Sequence, residues 1–255
     1  MVFSIEDESG NPVRRLTTKP KKGINRVTWD LRFASTRPLS EKDKFDPFKS
    51  LGSSTLVMPG KYKVSLSIVT RDGKKELNAQ QEFNAVPLRN TTLPAPDRKE
   101  LVAFQKKVNE LSGTIRGTYR FLNETINKVD KMMQAVLHFP EAPYDLFTKA
   151  SDIKEQLRKI SLRFRRQSNK PSEEENPPAP VTFNHRLNVL AYTHWRSTSA
   201  ITQTERDMFN ILTEEFPPVL EEIKFIYNSE IKKLEAELEK YKVPWSPGRL
   251  PDFKF

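Results

Sequence analysis

Through the first third of the chain apolar and polar residues alternate one by one; beyond Pro94 the apolar step becomes three and four. Phe3 and Ile5 stand between polar neighbours, and Ser9-Gly10-Asn11-Pro12 then supplies turn chemistry. Val27, Trp29 and Leu31 alternate with Arg26, Thr28, Asp30 and Arg32. After Pro59-Gly60, the residues Tyr62, Val64, Leu66 and Ile68 form one face of a strand, with Lys61, Lys63, Ser65 and Ser67 on the other. Asp72-Gly73 predicts a tight hairpin whose return strand runs from Leu77 to Val86. Period-two segments with one polar face predict antiparallel sheets packed as an immunoglobulin-like sandwich over residues 1–93, with a long polar loop at 36–55.

The longer period predicts helices. Leu101, Phe104, Val108, Leu111, Ile115, Leu122, Ile126, Val129, Met133 and Val136 form one stripe, ended by Pro140 and Pro143. A second helix carries Phe147, Ala150, Ile153, Leu157, Ile160 and Phe164, and a proline- and glutamate-rich loop follows at 168–181. Phe183, Leu187, Leu190 and His194 mark a third. Thr202-Gln203-Thr204-Glu205 has capping-box spacing and opens a fourth, with apolar positions including Phe209, Leu212, Phe216, Leu220, Ile223, Tyr227 and Ile231. Pro217 and Pro218 lack a backbone donor and are expected to kink or split it. The expected fold class is α+β multidomain: the sandwich at 1–93, a four-helix bundle at 94–242, and a proline-rich tail at 243–255 extended across the bundle.

Composition narrows the chemistry. The 255 residues include no cysteine, which excludes disulfides, thiolate metal sites and cysteine nucleophiles. Nineteen prolines against eight glycines, with neither nucleotide-binding glycine motif, disfavour phosphate loops. No segment has the length and apolarity of a signal peptide or a membrane span. The net charge of +10 lies in the first two thirds of the chain; the last third is acidic. Such a surface favours anionic partners without naming one.

Side chains able to carry chemistry are few. The three histidines are His138, His185 and His194, and the last two fall on opposite faces of one helix at about 100° per residue, which speaks against a shared metal. No metal, cofactor or catalytic residue is expected. Glu214/Glu215 and Glu221/Glu222 belong to a solvated helix face and do not oppose each other across a cleft. Asp43 and Asp46 are the acids that an irregular loop could use, and a solvated loop accounts for them as well. The basic run Lys154, Arg158, Lys159, Arg163, Arg165 and Arg166 is a candidate interaction face, although amphipathicity alone explains it. Nucleic acid is not the expected partner, because no stacking aromatics stand beside these cations. Trp245 and Arg249 are read as anchors of the tail.

Four stretches together resemble a known arrangement: residues 5–16 (IEDESGNPVRRL), 23–32 (GINRVTWDLR), 57–66 (VMPGKYKVSL) and 244–251 (PWSPGRLP). The first three resemble the immunoglobulin-like module of the flagellar hook-capping type. With the helices and the last stretch, the order resembles the C-terminal region of large bacterial proteins with sortilin-like, Asp-box β-propellers, often labelled glycosyl hydrolases. No Asp-box repeat occurs here, and the resemblance transfers no catalytic residue. It implies a non-catalytic structural or interaction module, the C-terminal part or partner subunit of a larger protein of the periplasm, outer membrane or cell exterior. An upstream propeller or another protein is then the expected partner, with the signal peptide upstream. The alternatives are anionic-polymer or nucleic-acid binding through 154–166, and an accessory domain of a glycoside hydrolase.

Overall fold

The computed structural model describes residues 1–77, 79–88, 93–167, 172 and 174–249, with the backbone alone at Arg196. Residues 168–171 and 173 of the expected loop and residues 250–255 of the tail lie outside the described residues. The fold is α+β. Seven strands come first: β1 (Val2–Asp7), β2 (Pro12–Thr17), β3 (Arg32–Ala34), β4 (Ser53–Leu56), β5 (Gly60–Thr70), β6 (Gly73–Glu76) and β7 (Gln81–Ala85). Helices α1 (Arg98–Leu137), α2 (Tyr144–Phe164), α3 (Phe183–Arg196) and α4 (Gln203–Phe225) follow, and α4 continues through a π turn (Ile226–Ile231) into α5 (Lys232–Lys240). The chain forms two compact units, residues 1–113 with 189–206 and residues 114–188 with 207–255, so α1, α3 and α4 each contribute to both.

In the first unit every pairing is antiparallel. The larger sheet has the order β2-β1-β5, with β6 and β7 sharing the far side of β5; β3 and β4 form a second, two-stranded sheet. The Asp72-Gly73 hairpin forms, with Thr70 opposite Gly73. Its return is divided: β6 pairs with residues 67–70 of β5, and β7 with residues 60–64. Ile5, Val13, Val57 and Tyr62 make the buried centre, with Trp29, Phe33, Val64 and Phe83 packed around it. Trp29 meets Tyr62 and Phe83 edge-on at centroid distances of 5.4 and 5.9 Å.

The strand expected through Val27, Trp29 and Leu31 is reduced to β3 at Arg32–Ala34, and β4 takes up the end of the expected 36–55 loop; two further expectations fail for local reasons. Leu31 adopts a left-handed backbone (φ 55°) and turns outward, and Phe33 takes the next inward place. The carbonyl of Leu31 accepts the Val57 N–H, which holds this break in the alternation. Ser67, expected on the polar face, is buried, and its hydroxyl reaches the Val2 carbonyl at 3.4 Å. Ser67 is flanked by Val2 of β1 on one side and Glu76 of β6 on the other.

In the second unit the apolar stripes are closed. Leu146, Ala150, Ile153, Leu157, Ile160 and Phe164 form the buried stripe of α2, so Leu146 replaces the expected Phe147, which instead stacks on Tyr144. Pro217 and Pro218 do not split α4. Each deprives one carbonyl a turn earlier, at Thr213 and Glu214, of its helical donor, and both residues are exposed to water. Burial along this helix runs Leu212, Phe216, Val219, Ile223, Ile226, Ile231, Leu234, Leu238. The step of five from Ile226 to Ile231 is the π turn, which keeps both isoleucines inward and displaces Tyr227 from the stripe.

Candidate interaction surface

The basic run on α2 divides. Lys154 is ion-paired with Asp130 of α1, Arg163 lies over the Phe183 ring at 5.6 Å, and Arg166 donates to the Pro177 carbonyl at 2.6 Å. Lys159 has only a long pair with Glu155, at 4.0 Å. Arg158, Lys159 and Arg163 of α2 are exposed, outside its buried stripe, and so is Arg165 just beyond the end of the helix.

Asp43 and Asp46 shape the loop between β3 and β4. Asp43 accepts from the Ser40 N–H at 2.9 Å, the Ser40 hydroxyl at 3.0 Å and Arg37 at 3.1 Å. The Ser40 N–H, then Arg37 and the Ser40 hydroxyl, hold its carboxyl down at about 2, so it is ionised and fully engaged near neutral pH. Asp46 accepts the Phe48 N–H at 2.9 Å in a local turn. Both acids therefore serve to fold a loop whose apolar side chains face outward. Phe45 is 92% exposed, and Leu39, Phe48 and Leu51 are exposed as well. Together with β2 this loop borders a groove of about 990 Å³.

In the tail the two expected anchors have unequal positions. Trp245 is 59% exposed and uses its indole N–H to reach the Arg249 carbonyl. Arg249 is buried, donates to the Val243 and Pro244 carbonyls at 2.8 and 2.7 Å, and lies 3.3 Å from a Glu239 oxygen. Lys128 of α1 reaches the Gly248 carbonyl at 3.3 Å and pairs with Glu235 of α5. Burial works to raise the Glu235 carboxyl, but hydrogen bonds from Lys128 and Lys232 outweigh it and leave it lowered.

Two features escaped the sequence reading. His194 is buried, and its Nε2 stands 3.8 Å from a Glu205 oxygen, neither atom having a hydrogen-bond partner. The other Glu205 oxygen accepts from the Thr202 N–H and hydroxyl, which completes the capping box. Burial pushes the imidazole below its ordinary value, and Glu205 only partly offsets this. His194 also lines a pocket of about 260 Å³, mostly apolar, with Arg98, Gln105 and Thr198 at its wall. The capping box was legible, but no spacing rule brings His194 to it. Among the described residues no group of three His, Asp or Glu side chains could hold a metal ion, and no helix is long and apolar enough to cross a membrane.

No family model matches the chain, and neither does any curated protein or solved structure.

Proposed function

We propose that this chain is a non-catalytic interaction module, a platform that binds a protein partner or an upstream propeller in a larger bacterial envelope protein. In this reading the strands of the first unit are an immunoglobulin-like sandwich and the helices a four-helix bundle. The observation that carries it is the groove beside β2, walled by outward apolar side chains on a loop whose acids are already engaged. Isolated exposed apolar residues are ordinary, but several bordering one concave surface mark an interaction site. The sequence resemblance supports the envelope setting.

A photo-crosslinking residue at Phe45, compared with one at Arg158, tests the proposal in the native cells. The expected result is one discrete protein adduct from position 45 and none from position 158. No adduct from position 45, in whole cells or envelope fractions, overturns the reading. A second reading, binding of an anionic polymer, rests on the exposed Arg158, Lys159, Arg163 and Arg165. It predicts affinity for heparin or duplex DNA that falls steeply with salt and is lost on charge reversal at Arg163 and Arg165.

A further inference from the structure

The hydrogen bonds of β2 leave one edge of the larger sheet open. Met1 and Thr18 exchange both backbone bonds, at 2.9 and 3.1 Å, so they form a hydrogen-bonded antiparallel pair. The register continues as Val2 opposite Thr17, Phe3 opposite Leu16, Ser4 opposite Arg15 and Ile5 opposite Arg14. Bonded pairs alternate with non-bonded ones, so Leu16 and Arg14 turn their amides toward β1, whereas Thr17 and Arg15 turn theirs away. Among the described residues, the N–H and C=O groups of Arg15 and Thr17 have no partner. The opposite side of the sheet is divided between two short strands: β6 carries Lys74, Lys75 and Glu76, a charged pattern that discourages pairing, and β7 carries Gln81, Glu82 and Asn84.

The open edge lies on the groove and the groove is cationic. Arg14, Arg15, Lys44 and Lys49 line it. Its three acids are engaged: Asp43 and Asp46 in the loop turns, and Asp30 with the Arg32 N–H at 3.2 Å. Arg14 is only 9% exposed; it gives one bond to the Phe33 carbonyl, and its Nε has no partner. The lining carries four cations against three carboxylates that are already held in place, so an open strand edge, an apolar wall and an excess of positive charge together select one kind of occupant.

We infer that the groove binds an acidic, extended segment of a partner protein, which adds as a strand to the β2 edge through the backbone groups of Arg15 and Thr17. Main-chain bonds to β2 supply the registration, alternate apolar side chains meet the Phe45 wall, and carboxylates meet Arg15, Lys44 and Lys49. This inference rests on the interaction-module reading and names the partner's chemistry.

The full chain and two labelled ten-residue peptides test it, one alternating Glu with Val and Phe, the other with Lys in place of Glu. The acidic peptide is expected to bind, with amide shifts at Arg15 and Thr17, and the basic peptide at least tenfold more weakly. Thr17→Pro removes only an outward N–H, leaving the β1–β2 bonds intact, and is expected to weaken binding at least tenfold without lowering the melting temperature. Should Thr17→Pro unfold the chain, Lys44→Glu with Lys49→Glu on the exposed loop serves instead, with the same expected loss. Equal binding of both peptides, binding unchanged in the variants, or no binding overturns strand addition. So does a concentration-dependent dimer lost in Thr17→Pro, which would make a second copy the occupant. A crosslink at Phe45 that survives such a failure keeps the interaction module and removes only the strand; its absence removes both.

Discussion

The sheets of the first unit and the helices of the second bury their apolar residues to different degrees. In the second, Leu122, Val129, Ala150, Leu157, Phe164, Leu187 and Leu212 are wholly enclosed. In the first, the sheet centre has four buried residues, and most of the aromatic and aliphatic side chains around it keep part of their surface in water. Helices present stripes that other helices can cover completely, whereas two small sheets with short edge strands leave their rims open. The closed unit is suited to stability, and the open one retains surface for a partner.

The largest expected effect tests closure itself. Leu157→Ala removes a fully enclosed side chain and should cost about 3 kcal/mol, while Val64→Ala in the half-open sheet core should cost about 1 kcal/mol. Urea titration of the two variants checks the ratio; equal losses would erase the contrast.

Next is the buried guanidinium of the tail. Arg249→Met leaves the Val243 and Pro244 carbonyls without their donor and Glu239 without its cation, for a loss of about 3 kcal/mol or somewhat less. Trp245→Ala, at an exposed indole, should cost well under half as much. Chemical denaturation of both variants shows whether the arginine or the tryptophan holds the tail.

A smaller effect separates the units by pH. Burial holds His194, in the first, below the ordinary imidazole value of 6.5, so the unfolded chain takes up the proton first. Its contribution is whole above about pH 6.5 and is lost as pH falls toward the folded value. Glu235, in the second, is also lowered, so its contribution is present above the ordinary carboxylate value of 4.5 and lost as pH falls through the folded value. Hydrogen exchange read peptide by peptide should therefore weaken around His194 at a higher pH than around Glu235, and His194→Gln should remove the earlier step. The smallest effect is on the exposed face of α2: Arg158→Ala should shift stability by no more than about 0.5 kcal/mol.

Much of the architecture was legible because local periodicity reports it. The stripe Phe183, Leu187, Leu190, His194 is buried as its spacing predicts, and the Asp72-Gly73 turn forms. The step of five between Ile226 and Ile231 was on the page too, yet a strict helical period draws the stripe through Tyr227 instead. Leu31 shows the complementary limit: one residue with positive φ just before β3 inverts the alternation, and nothing in its side chain announces it. Of the candidate surface, the 36–55 loop was visible as a polar insertion, but the groove was not, because it needs β2 and the loop brought together.

Residue order alone separates the helical part of the chain from the stranded part near Pro94, places the helices and excludes cysteine chemistry, but it misses β4 and reads a strand at 26–31 where none forms. The helices follow from neighbours three or four residues apart, which residue order already contains. Where the compact units divide, inside α1, α3 and α4, and which edge of the sheet stays open are set by the packing of elements against one another. The same is true of the pairing of His194 with Glu205 and of Arg249 with Glu239. Each of these depends on the placement of elements against one another, where burial and desolvation are set by surroundings rather than by spacing along the chain.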